Sequence, residues 1–219
     1  MNRRKFIATL AGLGSALAIS LSIMYVWLDT QKNNIVNALL PPGQRQVDAL
    51  RVLHEGPVPK FDETTWTFQV YGLVKNPFEL TYEEFKGLSR VVVNSDFHCV
   101  TGWSKLENKW EGVLFSSILE RAELLENAKF ATIECFFNYT TSLPIEDLLL
   151  DDVLLAFRLD DKDLPFVHGG PLRLVVPHKY GYKSAKWVRK IKFTEEQELG
   201  YWEKRGYSNT ADPFTDDRY

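Results

Sequence analysis

Cysteine and histidine are scarce: two cysteines, Cys99 and Cys135, and four histidines stand in 219 residues, none in the short-spaced clusters that a zinc site uses. Two cysteines are also too few for a disulfide-framed fold, and one Cys99–Cys135 bridge is the most they could form. Excess positive charge is missing as well. The net charge is -3, which argues against nucleic acid as a partner because no overall positive field exists to release counterions. No internal repeat is visible, and nothing suggests a second domain of comparable size. What is present, 45% hydrophobic and 13% aromatic residues, suffices for one substantial core.

Long apolar stretches are confined to one place. Residues 6–28 form an uncharged run of 23, long enough to span a bilayer as a helix, and Asn2-Arg3-Arg4-Lys5-Phe6-Ile7 before it resembles a twin-arginine export signal. Ala16-Leu17-Ala18 has the form of a cleavage site, but the run continues to Leu28, which favours an uncleaved anchor. Three positive charges precede the run, so the orientation expected is N-terminus inside and the body on the outer, extracytoplasmic side of the membrane. The organisation expected is a signal or anchor over 1–30, a tether over 31–46 broken by Pro41-Pro42-Gly43, and a globular domain over 47–219.

Within that domain, Thr65–Val70 alternates as a half-buried strand, and Thr81 with Glu84 has capping-box spacing for a short helix ending near Gly87. Val113–Leu125 carries Leu114, Ile118, Leu119, Ala122 and Leu125 at helical intervals. Strands are expected over Lys129–Phe137, Val153–Leu159, Leu172–Val176 and Trp187–Phe193, with a helical turn or two over Pro144–Leu150. Elements interspersed without a βαβ rhythm predict a mixed α+β fold with several small sheets.

Two segments carry chemistry. In Ser95-Asp-Phe-His-Cys-Val-Thr-Gly-Trp-Ser104 the thiol of Cys99 stands on what reads as a polar loop after the strand-like Val91-Val92-Val93. A thiolate is a soft anionic ligand for a soft or highly charged metal centre, while a buried structural cysteine is the ordinary alternative and suits Cys135 better than Cys99. A thiol nucleophile activated by His98 is a third use. The second segment, His168–Lys192, holds seven Lys or Arg and no Asp or Glu. An anionic cofactor would account for this, with Arg173 as a planar fork, Lys183 and Lys186 as point charges, and Gly169, Gly170 and Gly181 giving backbone N–H groups close approach. A solvated basic face, or a patch held against anionic lipid, is the alternative.

Together, Cys99-Val-Thr-Gly-Trp-Ser and His168-Gly-Gly-Pro-Leu-Arg followed by Ser184-Ala185-Lys186 resemble the molybdopterin-binding core of the sulfite oxidase family, most of all its short bacterial oxidoreductases. The resemblance covers about residue 50 to Phe214 and extends more distantly to methionine sulfoxide reductases of the same fold. It implies that Cys99 is the one protein ligand of molybdenum. It further implies that His168, Arg173, Ser184, Ala185 and Lys186 hold the pterin and its phosphate. His54, Glu55 and Gly56 match the segment that wraps the pterin, and Cys135 falls at a further pterin contact. Tyr139, in Tyr139-Thr-Thr-Ser-Leu-Pro144, matches a family tyrosine that lines the substrate pocket, where its hydroxyl could position substrate or manage a proton. His98 is either a hydrogen-bonding tuner of the metal or only a polar neighbour.

The sequence departs from true sulfite oxidases where their arginines stand, which here are Leu53, Gly102, Trp103 and Ser104. The expectation is therefore a membrane-anchored, monomeric molybdenum oxidoreductase that moves an oxygen atom to or from a small sulfoxide, N-oxide or similar molecule. Electrons would pass singly to or from a membrane haem protein or cytochrome. Sulfite oxidation, or a pterin-binding module without turnover, are the alternatives.

Overall fold

The computed structural model of the chain describes residues 21–31 and 40–219. Residues 21–31 are a helix, α1, whose side chains are all exposed, Tyr25 and Trp27 included. Among the described residues no helix is long and apolar enough to cross a membrane. The twin-arginine-like segment, the first part of the apolar run and positions 32–39 of the expected tether lie outside the described residues.

Pro41–Tyr219 form one unit. Its start corrects the domain boundary expected at 47, because β1 (Arg45–Gln46) pairs in parallel with the beginning of β5 (Trp103–Leu114). The tether's last residues are therefore a sheet strand.

Two mixed sheets replace the several small ones expected. In the six-stranded sheet β5 is the organiser: β4 (Val91–Cys99) lies antiparallel along it, and β8 (Leu154–Leu159) pairs with its end. β8 in turn carries β9 (Lys162–Asp163) and β10 (Arg173–Val175). The five-stranded sheet has the order β3 (Phe78–Thr81), β2 (Thr67–Gly72), β11 (Val188–Thr194), β6 (Phe130–Cys135), β7 (Thr140–Pro144). β2 and β11 are parallel and the other neighbours antiparallel.

The expected helices form in shortened versions. Thr81 and Glu84 make the capping box of α2 (Tyr82–Lys86), and α3 (Phe115–Ala122) and α4 (Ile145–Leu148) each follow a strand directly. Val113 and Leu114, expected in the helix, finish β5 instead, where they pair with Leu155 and Leu154. The polar loop expected over 95–104 is also corrected. The strand runs on to Cys99 and turns through Val100–Gly102 into β5, as the Gly102 N–H donates to the Cys99 carbonyl at 3.0 Å.

Strand alternation gives β8 two cores. Leu155 and Phe157 join the main core with Phe68, Phe85, Phe115, Ile133 and Ile191, while Leu154 and Ala156 face a smaller one with Trp110, Leu164 and Val175. Each large side chain so buried contributes roughly 1.5–3 kcal/mol. Gly112 makes this stacking possible, since a Cβ there would stand 2.1 Å from the Leu155 carbonyl oxygen.

Candidate active site

A cavity of about 290 Å³ opens beside the β4–β5 turn. Phe97 and Cys99 lie two residues apart on β4 and so share the face that lines it, together with Thr101 and Trp103. The Cys99 Sγ is half-buried and lies 3.2 Å from the Thr101 hydroxyl. His98, between them, points the other way. Its Nδ1 lies 2.8 Å from Ser104 Oγ and its ring meets Phe214 edge-on at 5.6 Å. Ser104 donates onward to Gln44 Oε1 at 3.2 Å, so the network closes with Nδ1 carrying the proton. This placement rules out a hydrogen bond from His98 to the sulfur, and with it both the direct tuner and the activated thiol.

Alternation along β10 puts Arg173 on the side of the smaller core, its guanidinium 5.1 Å from the ring centres of both Phe97 and Trp110. Arg173 is 2% exposed. Nη1 donates to the His168 carbonyl at 2.9 Å and Nη2 to the Ser184 carbonyl at 3.0 Å. Lys186 Nζ donates to the carbonyls of Leu53 and Val167 at 2.8 and 2.7 Å. Among the described residues no carboxylate pairs with either cation, and both line the cavity. Burial pulls Arg173 down to about 10, while burial and then the Arg173 charge pull Lys186 down to about 7. Two desolvated cations without a counter-charge are costly unless an anion completes them. Burial first, and these two charges next, likewise hold His168 below its ordinary range.

The cavity gathers most of the predicted residues: Cys99, Tyr139, His54, Glu55, His168, Arg173, Ser184, Ala185 and Lys186 all line it. Ser184 Oγ accepts from the Val176 N–H at 2.9 Å, which fixes its side chain. His54, on an exposed loop, donates from Nδ1 to the Gly56 carbonyl at 2.8 Å and meets the Trp187 ring edge-on at 5.3 Å. Tyr139 donates to the Tyr182 carbonyl at 2.7 Å, and burial raises its phenol well above the usual range. Its proton is therefore committed, and its oxygen can only accept further hydrogen bonds.

Other residues singled out in the sequence lie elsewhere. Gly56 and Cys135 are not among the residues lining the cavity. Gly56 forms a turn at φ +73° beside Phe137, and Cys135 ends β6 packed against the main core, where burial pushes its thiol up. Both cysteines are free, so no bridge joins them. Lys183 is no phosphate ligand: it is fully buried and pairs with Glu203 at 2.5 Å. The three glycines expected to present N–H groups use them internally, Gly169 toward Phe166, Gly170 toward Pro165 and Gly181 toward His98. Gly181 instead clears the Phe97 ring, which would be 2.3 Å from a Cβ.

Sequence reasoning missed Phe97, Tyr182, Trp187, Trp202 and Tyr207, which with Trp103 and Tyr139 give the cavity an aromatic wall. For all but Phe97 the one signal was aromatic density in 180–187 and 201–207. Tyr207 meets Tyr182 and Trp202 edge-on at 5.5 and 4.9 Å. Tyr182, Trp202 and Tyr207 thus pack as one group, and Phe97 stacks on Trp103 at 5.8 Å.

These residues fit an anionic, metal-bearing pterin: a thiol to ligate, two uncompensated cations for phosphate, and aromatic faces for a flat ring. Residues 55–202 match the family model described as oxidoreductase molybdopterin binding domain. The chain is 42% identical over 181 residues to an uncharacterized oxidoreductase, YuiH, of Bacillus subtilis, covering 82% of this chain and 91% of that protein. It is 30% identical over 172 residues to the catalytic subunit of a protein-methionine-sulfoxide reductase, MsrP, of Xanthomonas campestris, covering 69% of this chain and 53% of that one. The chain thus spans about half the length of that reductase. The sulfane dehydrogenase SoxCD of Paracoccus pantotrophus shares the fold at a TM-score of 0.62 and 24% identity, over 72% of this chain and 44% of that one. The mixed-sheet architecture with few helices is thus of the sulfite oxidase type. On the family match and the cavity's donor set alike, the chain belongs to the oxidoreductase molybdopterin-binding family and is a molybdopterin-dependent oxidoreductase.

Proposed function

We propose that this enzyme reduces a neutral S- or N-oxide with an apolar substituent, a sulfoxide above all, with Cys99 as the protein ligand of its molybdenum. The observation that carries this reading is the aromatic lining of the cavity that holds Cys99, with Trp103, Tyr139, Tyr182, Trp202 and Tyr207, where a sulfite pocket would need fixed cations. The named activity of the Xanthomonas relative supports it. When bound, the molybdenum pterin supplies two-electron oxygen-atom transfer. Arg173 and Lys186 would meet the phosphate, His168, Ser184 and Ala185 the pterin, with His54 and Glu55 at the mouth. The Tyr139 oxygen, its proton held by Tyr182, orients a donor group of the substrate, and the aromatic faces exclude water from the reacting atom.

The arginine-bearing N-terminal segment and its apolar run support anchoring at the membrane with the body on its outer face. A haem protein or cytochrome would there exchange electrons one at a time. The relative's designation as a catalytic subunit is consistent with a separate partner.

Sulfite oxidation is the second reading, favoured by Arg51, which reaches the cavity rim from the exposed loop. Steady-state turnover of metal-loaded protein separates the two. Dimethyl sulfoxide, methionine sulfoxide and trimethylamine N-oxide should be reduced with a dye donor, and sulfite should be at least about a hundredfold poorer, the loss of two charged hydrogen bonds at about 1.5 kcal/mol each. Efficient sulfite oxidation without turnover of the neutral oxides would establish the alternative.

A further inference from the structure

We propose that Gln44 and Arg218 are positioning residues for the Cys99 sulfur: from two segments remote in sequence they pin the carbonyls of the cysteine turn and so fix how the thiolate is presented to the metal. This rests on the reading of Cys99 as the molybdenum ligand.

The turn Cys99–Gly102 has one internal backbone hydrogen bond, from the Gly102 N–H to the Cys99 carbonyl, beside the contact of the Cys99 Sγ with the Thr101 hydroxyl. Everything else that holds its carbonyls comes from elsewhere. Gln44 Nε2 donates to the Cys99 carbonyl at 3.1 Å, the Arg45 N–H to the Gly102 carbonyl at 3.2 Å, and Arg218 Nη1 to the Val100 carbonyl at 3.0 Å. The donors are themselves oriented. Ser104 donates to Gln44 Oε1, which leaves the amide nitrogen facing the turn. Asp216 Oδ1 accepts from Arg218 Nε at 2.6 Å and from the Tyr180 hydroxyl at 2.9 Å, so the guanidinium is aimed from behind. The segment carrying Arg218 is closed on itself, since the Ser208 N–H donates to the Arg218 carbonyl at 2.9 Å.

The pieces interlock without slack. A Cβ on Gly43 would stand 3.1 Å from Arg218 Nη2, and one on Gly102 would stand 3.2 Å from the Gly43 carbonyl oxygen. Neither Gln44 nor Arg218 lines the cavity. Their hydrogen bonds end on the peptides that carry the sulfur, so they act on the ligand through its backbone. Arg218 also neutralises the Asp216 carboxylate beside that backbone. Its loss leaves a negative charge there, which disfavours the more reduced metal and should lower the reduction potential.

The test uses metal-loaded full chain and reads the Mo(V) paramagnetic resonance spectrum, the reduction potential and the metal content in Cys99→Ser, Gln44→Met, Arg218→Met and Arg218→Lys. Cys99→Ser must change the spectrum, because serine is the harder ligand; an unchanged spectrum there overturns the ligand reading and the clamp with it. Given that change, Gln44→Met and Arg218→Met should keep their metal yet give a broadened or doubled signal, with the potential lowered in Arg218→Met. Arg218→Lys, which retains a charged donor, should recover a single species. In apoprotein on a Cys135→Ala background, alkylation of Cys99 should quicken by about tenfold in either clamp variant, the factor that one lost hydrogen bond allows. Spectra, potential and alkylation rates equal to wild type in both Met variants would sink the clamp while leaving Cys99 as ligand.

Discussion

At the scale of single residues, Lys186 makes the site sensitive to pH. Its folded-state pKa of about 7 lies below the ordinary 10.5. Between those values the unfolded chain binds a proton that the empty folded pocket does not, so this group's contribution to apoprotein stability grows as pH rises through the window and is lost below about 7. An anion in the pocket restores the ammonium, and binding therefore takes up a proton. Sulfate, which does not titrate here, should bind wild-type apoprotein more weakly by up to about tenfold per pH unit above pH 7, with a much flatter dependence in Lys186→Met. Equal slopes in calorimetric titrations of the two would remove Lys186 from the anion site. His168, held below its ordinary range, is neutral across that window and adds no slope. Both residues could be read in advance because a basic stretch without one acidic residue stands out in an acidic chain. Lys183 looked the same there, since the partner that neutralises it, Glu203, lies far along the sequence.

At the scale of elements, that ion pair ties β7 to the segment bearing Trp202 and Tyr207. Glu203 Oε1 accepts from Lys183 at 2.5 Å and from the Thr141 hydroxyl at 2.8 Å, while Lys183 also donates to the Ser142 carbonyl at 3.0 Å. Removing one member leaves an uncompensated buried charge. Lys183→Met should destabilise apoprotein by about 3–5 kcal/mol in denaturant melts, and Lys183→Met with Glu203→Met should regain much of that. A single variant no less stable than wild type would show the pair to be dispensable. The short helix α2 was legible because Thr81 and Glu84 satisfy each other's backbone at fixed spacing, a local matter. β5 was not, because Asn108 and Gly112 occupy buried positions of its alternation and hide the apolar period. Asn108 is tolerated inside because its amide donates to the carbonyls of Ser95 and Lys105. Missing β5 is what turned the end of β4, with Cys99 on it, into a loop.

At the scale of the whole molecule, the cavity is built from loop 50–55, the β4–β5 turn, Tyr139, the 168–187 segment and residues 202 and 207. Such a site forms only in the complete fold, so its ligand stabilises the fold as a unit. With cofactor at about a hundred times its dissociation constant the gain is about 2.7 kcal/mol, which in a chain of this size raises the melting temperature by roughly 5–10 °C. Arg173→Met should lose most of that rise along with its cofactor, while its apoprotein melts no lower than wild type, since the variant no longer buries an unpaired cation. A normal cofactor content in Arg173→Met would exclude the phosphate role. The aromatic wall escaped the sequence because distant segments assemble it, and no periodicity records such proximity. The same long-range closure governs synthesis. β11 is the centre of its sheet, between β2 and β6, yet it follows β2 by more than a hundred residues. At ordinary ribosomal rates the nascent chain exposes β2 with an open edge for on the order of ten seconds before its neighbour exists, an interval in which a chaperone can bind but the cofactor has nowhere to go.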